Sequence, residues 1–592
     1  VLDAVTASHV LSVQASLTGR AWLWRGAEDR IGFAIAERLA VPEIVGRILA
    51  ARDITLDDAA DFLTPTLRAL LPDPATLIDM EQAALRLAEA VIGGETVAIF
   101  GDYDVDGACS AAILTLVLRE LGCPVLPYIP DRLAEGYGPN APALRRLAEQ
   151  GARLIVCVDC GTAAHEVLGA MHNRAQVIVL DHHKAEGPPP SILATVNPNR
   201  LDCASGLRHL CAAGVAFMTA IAVRHALRKR GFFAARAEPD LMGLLDLVAL
   251  ATICDVMPLT GLNRALVTQG LKIMGRRARP GLAALMDVAQ TRDAPTAMTC
   301  GFALGPRINA GGRISEADLG LRLLLCEDPL DARLLAERLD AVNRQRQSVE
   351  ASVLCHATDQ ADAQLQAGHA VILVCGAAWH PGVVGIVAGR LREKFHRVAC
   401  VGGLSDGLIK GSGRSIPGQD LGAAIIAARQ AGLLASGGGH AMAAGFSLDP
   451  ANQPRLHAFL GERLPVAADA PRRPHLQVEA SLSAAGATLG LARHLGALAP
   501  FGTGNEEPVL VLPDLRVAKA DRIGNDGNTI RAIMEGEGPG RVKALHFRAG
   551  DGPIGQALLA RARLHLAGHL RAESWNGTES ASFCVVDGAL SG

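Results

Sequence analysis

Short, continuous apolar runs recur through the first half of the chain, at residues 97–100, 124–128, 154–158 and 177–180, and stretches with a helical period separate them. Runs of four or five apolar residues without alternation suit strands buried on both faces. With helical patterns at 108–121 and 142–149 between them, they predict a doubly wound, mainly parallel α/β sheet. Leu244, Leu247, Val248 and Ala251 keep a helical spacing, so Asp255 is expected at a helix end rather than a strand tip. Residues 317–366 are rich in Leu, Ala, Arg, Glu and Asp with few breakers, which predicts a long connecting helix or helix pair. A second, smaller α/β pattern opens at 370–374 and runs to about 446. Beyond Pro471 and Pro474, short apolar segments alternate with Gly-containing turns such as 524–528, the pattern of a small C-terminal β-barrel. The first 75 residues carry Trp22, Trp24 and an amphipathic stretch at 44–62, then Pro65, Pro72 and Pro74 break the pattern. Five segments result: a helical entry segment (1–75), an α/β domain (76–262), a loop with connecting helices (263–368), a second α/β domain (369–465) and the barrel (466–592).

A chain of 592 residues is too long for one core, and its 49% hydrophobic content supplies several. The most apolar stretch, 241–259, is interrupted by Asp246 and Asp255, so no membrane span is expected. The opening residues lack a basic stretch followed by an apolar one, which argues against a secretory leader. Thirteen scattered cysteines fit reduced thiols, and a cytoplasmic location is expected. Cys157 and Cys160 form a C-x-x-C, yet Cys157 lies inside an apolar run and reads as a buried strand residue. A formal net charge of −3 gives no global sign of a nucleic-acid partner. Most of the basic residues are Arg, which suits phosphate but also follows from base composition, so charge alone decides nothing.

Three acidic patches change that picture. Phe100-Gly101-Asp102-Tyr103-Asp104-Val105-Asp106-Gly107, Val158-Asp159-Cys160-Gly161 and Leu180-Asp181-His182-His183 each begin where a strand-like run stops. The carboxyl ends of the strands in such a sheet line one crevice, so these side chains converge. Clustered Asp and His there make a divalent-metal site suited to hydrolysing a phosphate ester. Asp104 and Asp106 taken alone are equally well explained as caps of the helix that follows. A calcium loop is ruled out because no Glu stands at its twelfth position.

The order of these motifs, with Asp255 after an apolar helix, resembles the DHH phosphoesterase superfamily. Longer stretches narrow the resemblance to its single-strand-specific exonuclease branch. They are Tyr128-Ile129-Pro130-Asp131-Arg132, Glu135-Gly136-Tyr137-Gly138, the run 250–259, Gly305-Pro306-Arg307-Ile308-Asn309-Ala310-Gly311-Gly312-Arg313, Trp379-His380-Pro381-Gly382, Gly411-Ser412-Gly413-Arg414-Ser415 and Gly437-Gly438-Gly439-His440. The resemblance implies two divalent cations, Mn²⁺ or Mg²⁺, held by Asp104, Asp106, Asp159, His182 and Asp255, with Asp102 a further candidate because Phe100 stands where many relatives have His. It makes Asp159 the bridging ligand and Asp159, His182 and His183 catalytic. His183 is left to contact the scissile phosphate or assist the leaving oxygen, the alternative being that it only orients its neighbour. Arg307, Asn309 and Arg313 after a Gly-Pro turn, and Ser412, Arg414 and Ser415 in a Gly-rich loop, are candidates for phosphate contact, with His380 and His440 as further candidates.

The implied substrate is single-stranded DNA entering a cleft by its 5′ end, degraded 5′ to 3′ in repair and recombination. A helicase and a single-strand-binding protein are possible partners, no membrane is involved, and a monomer is expected. The barrel resembles an OB fold. It is poor in aromatics, with Phe501, Phe547 and Trp575 among the few, so its grip would rest on Arg and backbone contacts. Two other readings are a hydrolase of small phosphoanhydrides or dinucleotides, and an inactive scaffold of a replication complex.

Overall fold

The computed structural model describes residues 8–26, 29–132, 135–136, 138–405, 407–465, 474–524, 526–575 and 577–591. Tyr137, Pro471 and Asn525, on which the sequence reading drew, lie outside these. The chain forms two compact units, one of residues 74–255 and 270–468, the other of 1–73, 256–269 and 469–592.

In the first unit, five parallel strands form a sheet in the order β2-β1-β3-β4-β5: β1 (Val97–Gly101), β2 (Val125–Tyr128), β3 (Leu154–Val158), β4 (Gln176–Leu180) and β5 (Ala194–Val196). Every residue of β1 and β3 is buried, as the uninterrupted apolar runs predict. Helices α1 (Val105–Glu120), α2 (Ala212–Lys229) and α3 (Leu245–Cys254) pack together beside it. After these come α4 (Gly305–Ile314) and the 38-residue α5 (Pro329–Gln366), which packs at its start on α4 and at its end on the second lobe.

That second lobe is a five-stranded sheet, β6 (Ile372–Gly376), β7 (Ala399–Ser405), β8 (Leu408–Arg414), β9 (Ser436–His440) and β10 (Ala443–Leu448), in the order β9-β10-β8-β7-β6. Only β6 and β7 run parallel. Helices α6 (Pro381–Phe395) and α7 (Leu421–Gln430) pack against it.

Two stretches differ from the expected local structure. Residues 305–314 are helix α4 rather than a turn, because Pro306 sits in the first helical turn, where its missing N–H costs nothing. Residues 411–414 belong to strand β8 rather than a loop. A Cβ at Gly411 would lie 2.2 Å from the Phe446 ring, and one at Gly413 2.6 Å from Leu421, so neighbouring side chains occupy the space and glycine is required inside the sheet.

In the other unit, β11 (Leu510–Ile523), β12 (Thr529–Glu535), β13 (Arg541–His546), β14 (Leu564–Trp575) and β15 (Thr578–Leu590) pair in the order β11-β12-β13-β15-β14. Strand β14 pairs back to β11, and β13–β15 is the parallel pair. The N-terminal segment is not a separate body. Ile35, Val45, Ile48, Leu49 and Phe62 share one core with Leu510, Leu512, Ile530, Leu566 and Phe583, and the strand Ala21–Trp24 pairs in parallel with His475–Val478. Among the described residues no helix is long and apolar enough to cross a membrane. All thirteen cysteines are free thiols, with Cys157 and Cys160 buried.

Candidate active site

The strand register puts the acidic motifs at one level. Gly101 pairs with Val158 and Val158 with Leu180, so Asp102, Asp159 and Asp181 are each the first residue past three adjacent strand ends. Asp159 takes a left-handed backbone (φ +60°), rare for a residue with a side chain. Asp104 is the N-cap of α1, its Oδ1 accepting from the N–H groups of Asp106 and Gly107 at 3.0 Å each. The capping and metal readings of this loop are therefore compatible, since capping uses one oxygen only. Asp255 caps the C-terminal end of α3, as its helical period predicts.

These side chains meet. His182 Nε2 lies 3.3 Å from Asp159 Oδ1, 3.5 Å from Asp255 Oδ2 and 3.7 Å from Asp106 Oδ2. Ligand atoms of Asp102, Asp104 and Asp159 form one group within 4.8 Å of one another, and those of Asp106, His182 and Asp255 form a second. Asp159, His182 and His183 form a third, so Asp159 belongs to the first set and adjoins the second through His182.

The electrostatics demand compensation. Burial, then the neighbouring carboxylates, pushes Asp159 well above the ordinary carboxyl range and raises Asp255 to about 8. Asp102 rises to about 8 through burial and Asp104. Asp106 also rises through burial, although His182 and the N–H groups of Ala212 (2.7 Å) and Ala213 (2.8 Å) at the start of α2 favour its charged form. Oδ1 of Asp102, Oδ1 of Asp159 and Oδ2 of Asp255 are buried and accept no hydrogen bond. Buried carboxylate oxygens crowded together without donors fit hard divalent cations.

Asp181 plays a different part. Its carboxylate accepts from Thr162 N–H (3.0 Å), from His182 N–H (2.7 Å) and from both the N–H (3.1 Å) and Nδ1 (2.7 Å) of His183. Burial works against its charge, but the His183 and Thr162 hydrogen bonds prevail and hold it below the usual range. Burial likewise opposes the charged form of His183, yet Asp181 wins and raises the imidazole to about 9. Two residues the sequence reading missed complete this frame. Asn197 donates to His183 O (2.8 Å) and Thr162 Oγ1 (2.9 Å), and Asn199 donates to His182 O (2.6 Å). Their only signal was their place just past the end of β5.

The phosphate-contact candidates are not all presented alike. Arg307 is tied to Asp340 (2.9 Å) and to the Ala303 carbonyl (2.7 Å). Asn309 Oδ1 accepts from Val105 N–H (3.1 Å). Ser415 is fully buried, its hydroxyl donating to Gln419 O (2.8 Å). His380 caps α6, its Nδ1 accepting from Gly382 N–H (3.0 Å), and His440 is exposed at the end of β9. Arg313 donates to Gly382 O (3.2 Å) and is lowered from its ordinary value by burial, then by Arg132 and Arg346. Arg414 holds Ser412 Oγ (3.0 Å) and is lowered by burial, then by Arg392 and Arg132. Arg132, another residue the sequence reading left out of the site, stacks 4.7 Å above the Tyr103 ring. Arg132 thus repels both Arg313 and Arg414, and Arg132 and Arg313 feel the carboxylates of Asp102 and Asp104, a setting suited to phosphate oxygens.

In the other unit the cations of the barrel are mostly spent. Arg516 and Arg541 pair with Glu535, Arg531 with Asp521, Arg522 with Asp551, Arg563 with Asp514 and Arg571 with Glu507.

Comparison with known proteins follows this division. The profile of the DHH family, N-terminal domain, matches residues 96–252, that of the DHHA1 domain 367–464 and that of the RecJ OB domain 478–587. The single-stranded-DNA-specific exonuclease RecJ of Dickeya dadantii is 40% identical over 491 residues, spanning 79% of this chain and 83% of that protein. The crystal structure of RecJ in complex with Mn²⁺ from Thermus thermophilus superposes with a TM-score of 0.79 at 31% identity, covering 95% of this chain and 78% of that one. The Mg²⁺ complex from the same organism gives 0.72 at 29% identity, covering 95% and 77%. The chain belongs to the RecJ family of the DHH phosphoesterases.

Proposed function

We propose that the chain is a metal-dependent exonuclease specific for single-stranded DNA, which hydrolyses phosphodiester bonds from the 5′ end. The observation that carries this reading is the pair of donor groups joined through Asp159, each with buried carboxylate oxygens that accept no hydrogen bond. Asp102, Asp104 and Asp159 would hold one Mn²⁺ or Mg²⁺, and Asp106, His182 and Asp255 the other, with Asp159 shared. When bound, the two cations activate water and offset the charge that builds on the phosphoryl oxygens. The chain supplies the rest. Arg132, Arg313 and Arg414 orient the strand's phosphates, Asp181 keeps His183 protonated, and the leaving oxygen takes its proton from the His183 ring as the P–O bond breaks. An inactive scaffold is disfavoured because the whole acidic set is retained, and a dinucleotide hydrolase because such a substrate needs no barrel. Action in the cytoplasm, in repair and recombination, as a monomer alongside a helicase and a single-strand-binding protein, completes the reading.

The test incubates 5′-labelled and 3′-labelled single strands, and a duplex, with Mn²⁺ and then with EDTA. Early release of the 5′ label from single strands alone, abolished by EDTA, is expected. Equal loss of both labels, rapid duplex cleavage or activity in EDTA would overturn the assignment.

A further inference from the structure

Helix α4 touches the metal loop at two points one turn apart. At the first, Asn309 Oδ1 accepts from Val105 N–H at 3.1 Å. Val105 is the first residue of α1 and is buried, so its N–H is one of the helix-start donors that lack a partner within the helix. At the second, a Cβ on Gly312 would stand 2.8 Å from Tyr103 O and 3.1 Å from Tyr103 Cβ, so the α4 backbone lies directly on the loop. The loop itself has no slack, since a Cβ on Gly107 would come within 2.4 Å of Asp102 O. Asp104 sits between these contacts, with Oδ1 already committed to the N–H groups of Asp106 and Gly107. The direction of its other oxygen is therefore fixed by the backbone on either side, at Tyr103 and Val105. At its far end α4 meets the second lobe, where Arg313 donates to Gly382 O at 3.2 Å and a Cβ on Gly382 would lie 2.2 Å from Arg313 O.

From this we infer that α4 is a strut, with Asn309 a positioning residue for the Asp102, Asp104 and Asp159 donor group rather than a contact to the strand. The inference rests on the two-cation reading above. Asn309 reaches the metal through the peptide that joins Asp104 to Val105, and the second cation, held by Asp106, His182 and Asp255, does not depend on it.

The experiment is calorimetric titration of the full chain with Mn²⁺ alone, without DNA. In Asn309→Leu, which keeps the volume and removes the acceptor, one of two Mn²⁺ sites is expected to weaken by about tenfold, the scale on which partners of metal ligands act, while the other stays unchanged. Asn309→Asp retains an acceptor for Val105 N–H and brings the weakened site back at least to its wild-type affinity. The Michaelis constant for single strands at saturating Mn²⁺ stays at its wild-type value in Asn309→Leu. An unchanged isotherm, equal weakening of both sites, or a raised Michaelis constant at saturating Mn²⁺ overturns the inference. If Asn309→Leu does not fold, Gly312→Ala, which presses a methyl on the Tyr103 carbonyl, decides: selective weakening of one site supports the strut and an intact isotherm refutes it. Failure of the two-cation reading has another signature, a wild-type chain that binds fewer than two Mn²⁺ or an Asp159→Asn variant that binds both as before.

Discussion

His183 Nδ1 lies 2.7 Å from Asp181 Oδ1, while His182 Nε2 points at Asp159, Asp106 and Asp255, so two adjacent histidines face different tasks. The carboxylate that gives the motif its first letter is no candidate ligand. Four hydrogen bonds occupy it, and its effect is to orient one imidazole and keep that ring charged.

If the His183 proton serves the leaving oxygen, its titration sets the alkaline limit of turnover. A group raised to about 9 is charged across the neutral range and loses its proton as pH climbs through that value. Asp181→Asn removes the charge that raises it, so the alkaline limb of kcat/KM for 5′-label release at saturating Mn²⁺ is expected to move toward lower pH, by about one to two units. The acid limb stays where it is. An alkaline limb at the wild-type position would remove His183 from the role of acid.

Metal binding is expected to release protons. Asp102 and Asp255, at about 8 in the metal-free chain, carry protons at neutral pH that a cation must displace. The sign for stability is the reverse of the usual carboxylate case. Both groups are raised on folding, so the metal-free fold binds more protons than the unfolded chain, and its stability falls as pH rises from about 4 toward 8. Over that window the thermal midpoint of the wild type in EDTA should fall relative to that of Asp102→Asn, whose side chain does not titrate, and the stabilisation given by Mg²⁺ should grow. Titrations in buffers of different ionisation enthalpy should show proton release at pH 6.5 that fades near pH 9. A cation affinity independent of pH would contradict the raised values.

Asp159→Asn separates function from stability. Removing the shared carboxylate should lower turnover by at least about a thousandfold while strand binding remains measurable. In EDTA the raised carboxyl is already neutral near pH 7, so the same change should leave the thermal midpoint there nearly unmoved and should raise it only at alkaline pH, where the wild-type group would ionise beside Asp106 and Asp104. Retained hydrolysis would refute the shared role, and a midpoint that does not rise at alkaline pH would mean that repulsion is not what strains this cluster.

Phe100 marks the limit of reasoning from resemblance. Where relatives suggest a His, the ring is fully buried in the core that also holds Ala143, Leu144 and Leu147, 5.6 Å from the Tyr128 ring. The first donor group is completed by Asp102. Phe100→His should therefore cost about 2–4 kcal/mol through a polar ring placed in an apolar core, without tightening Mn²⁺. Asp102→Asn should weaken one Mn²⁺ by about tenfold. Tighter Mn²⁺ binding by Phe100→His would show that the pocket still has room for a ligand there.

What could be read in the sequence follows a physical division. β1, β3 and β4 announced themselves because strands buried on both faces are uninterrupted apolar runs, and Asp102, Asp159 and Asp181 followed from their ends. Asp255 was legible because helical spacing ran up to it. Strands β8 and β9 were not, since glycines placed to receive Phe446, Leu421 and Ile425 look like loop. The core shared by Ile48 with Leu512 and Phe583 joins segments more than 400 residues apart, which no local pattern encodes. The hydrogen bond from Val105 N–H to Asn309 was not legible either, because it exists only in the folded chain.

The barrel's cations should contribute less to strand affinity than their number suggests. A phosphate that takes Arg531 or Arg516 must first displace Asp521 or Glu535, so the counterions that drive binding are partly those carboxylates rather than free ions. Arg414, by contrast, has Ser412 and a carbonyl for partners and is repelled by Arg392 and Arg132, so an arriving phosphate displaces no carboxylate and relieves that repulsion. Anisotropy titrations of a labelled single strand in EDTA, across a range of salt, should therefore show Arg414→Ala lowering the slope of log K against log salt by about 0.7, while Arg531→Ala changes it by much less. Equal losses from the two variants would place the barrel's arginines on the strand after all.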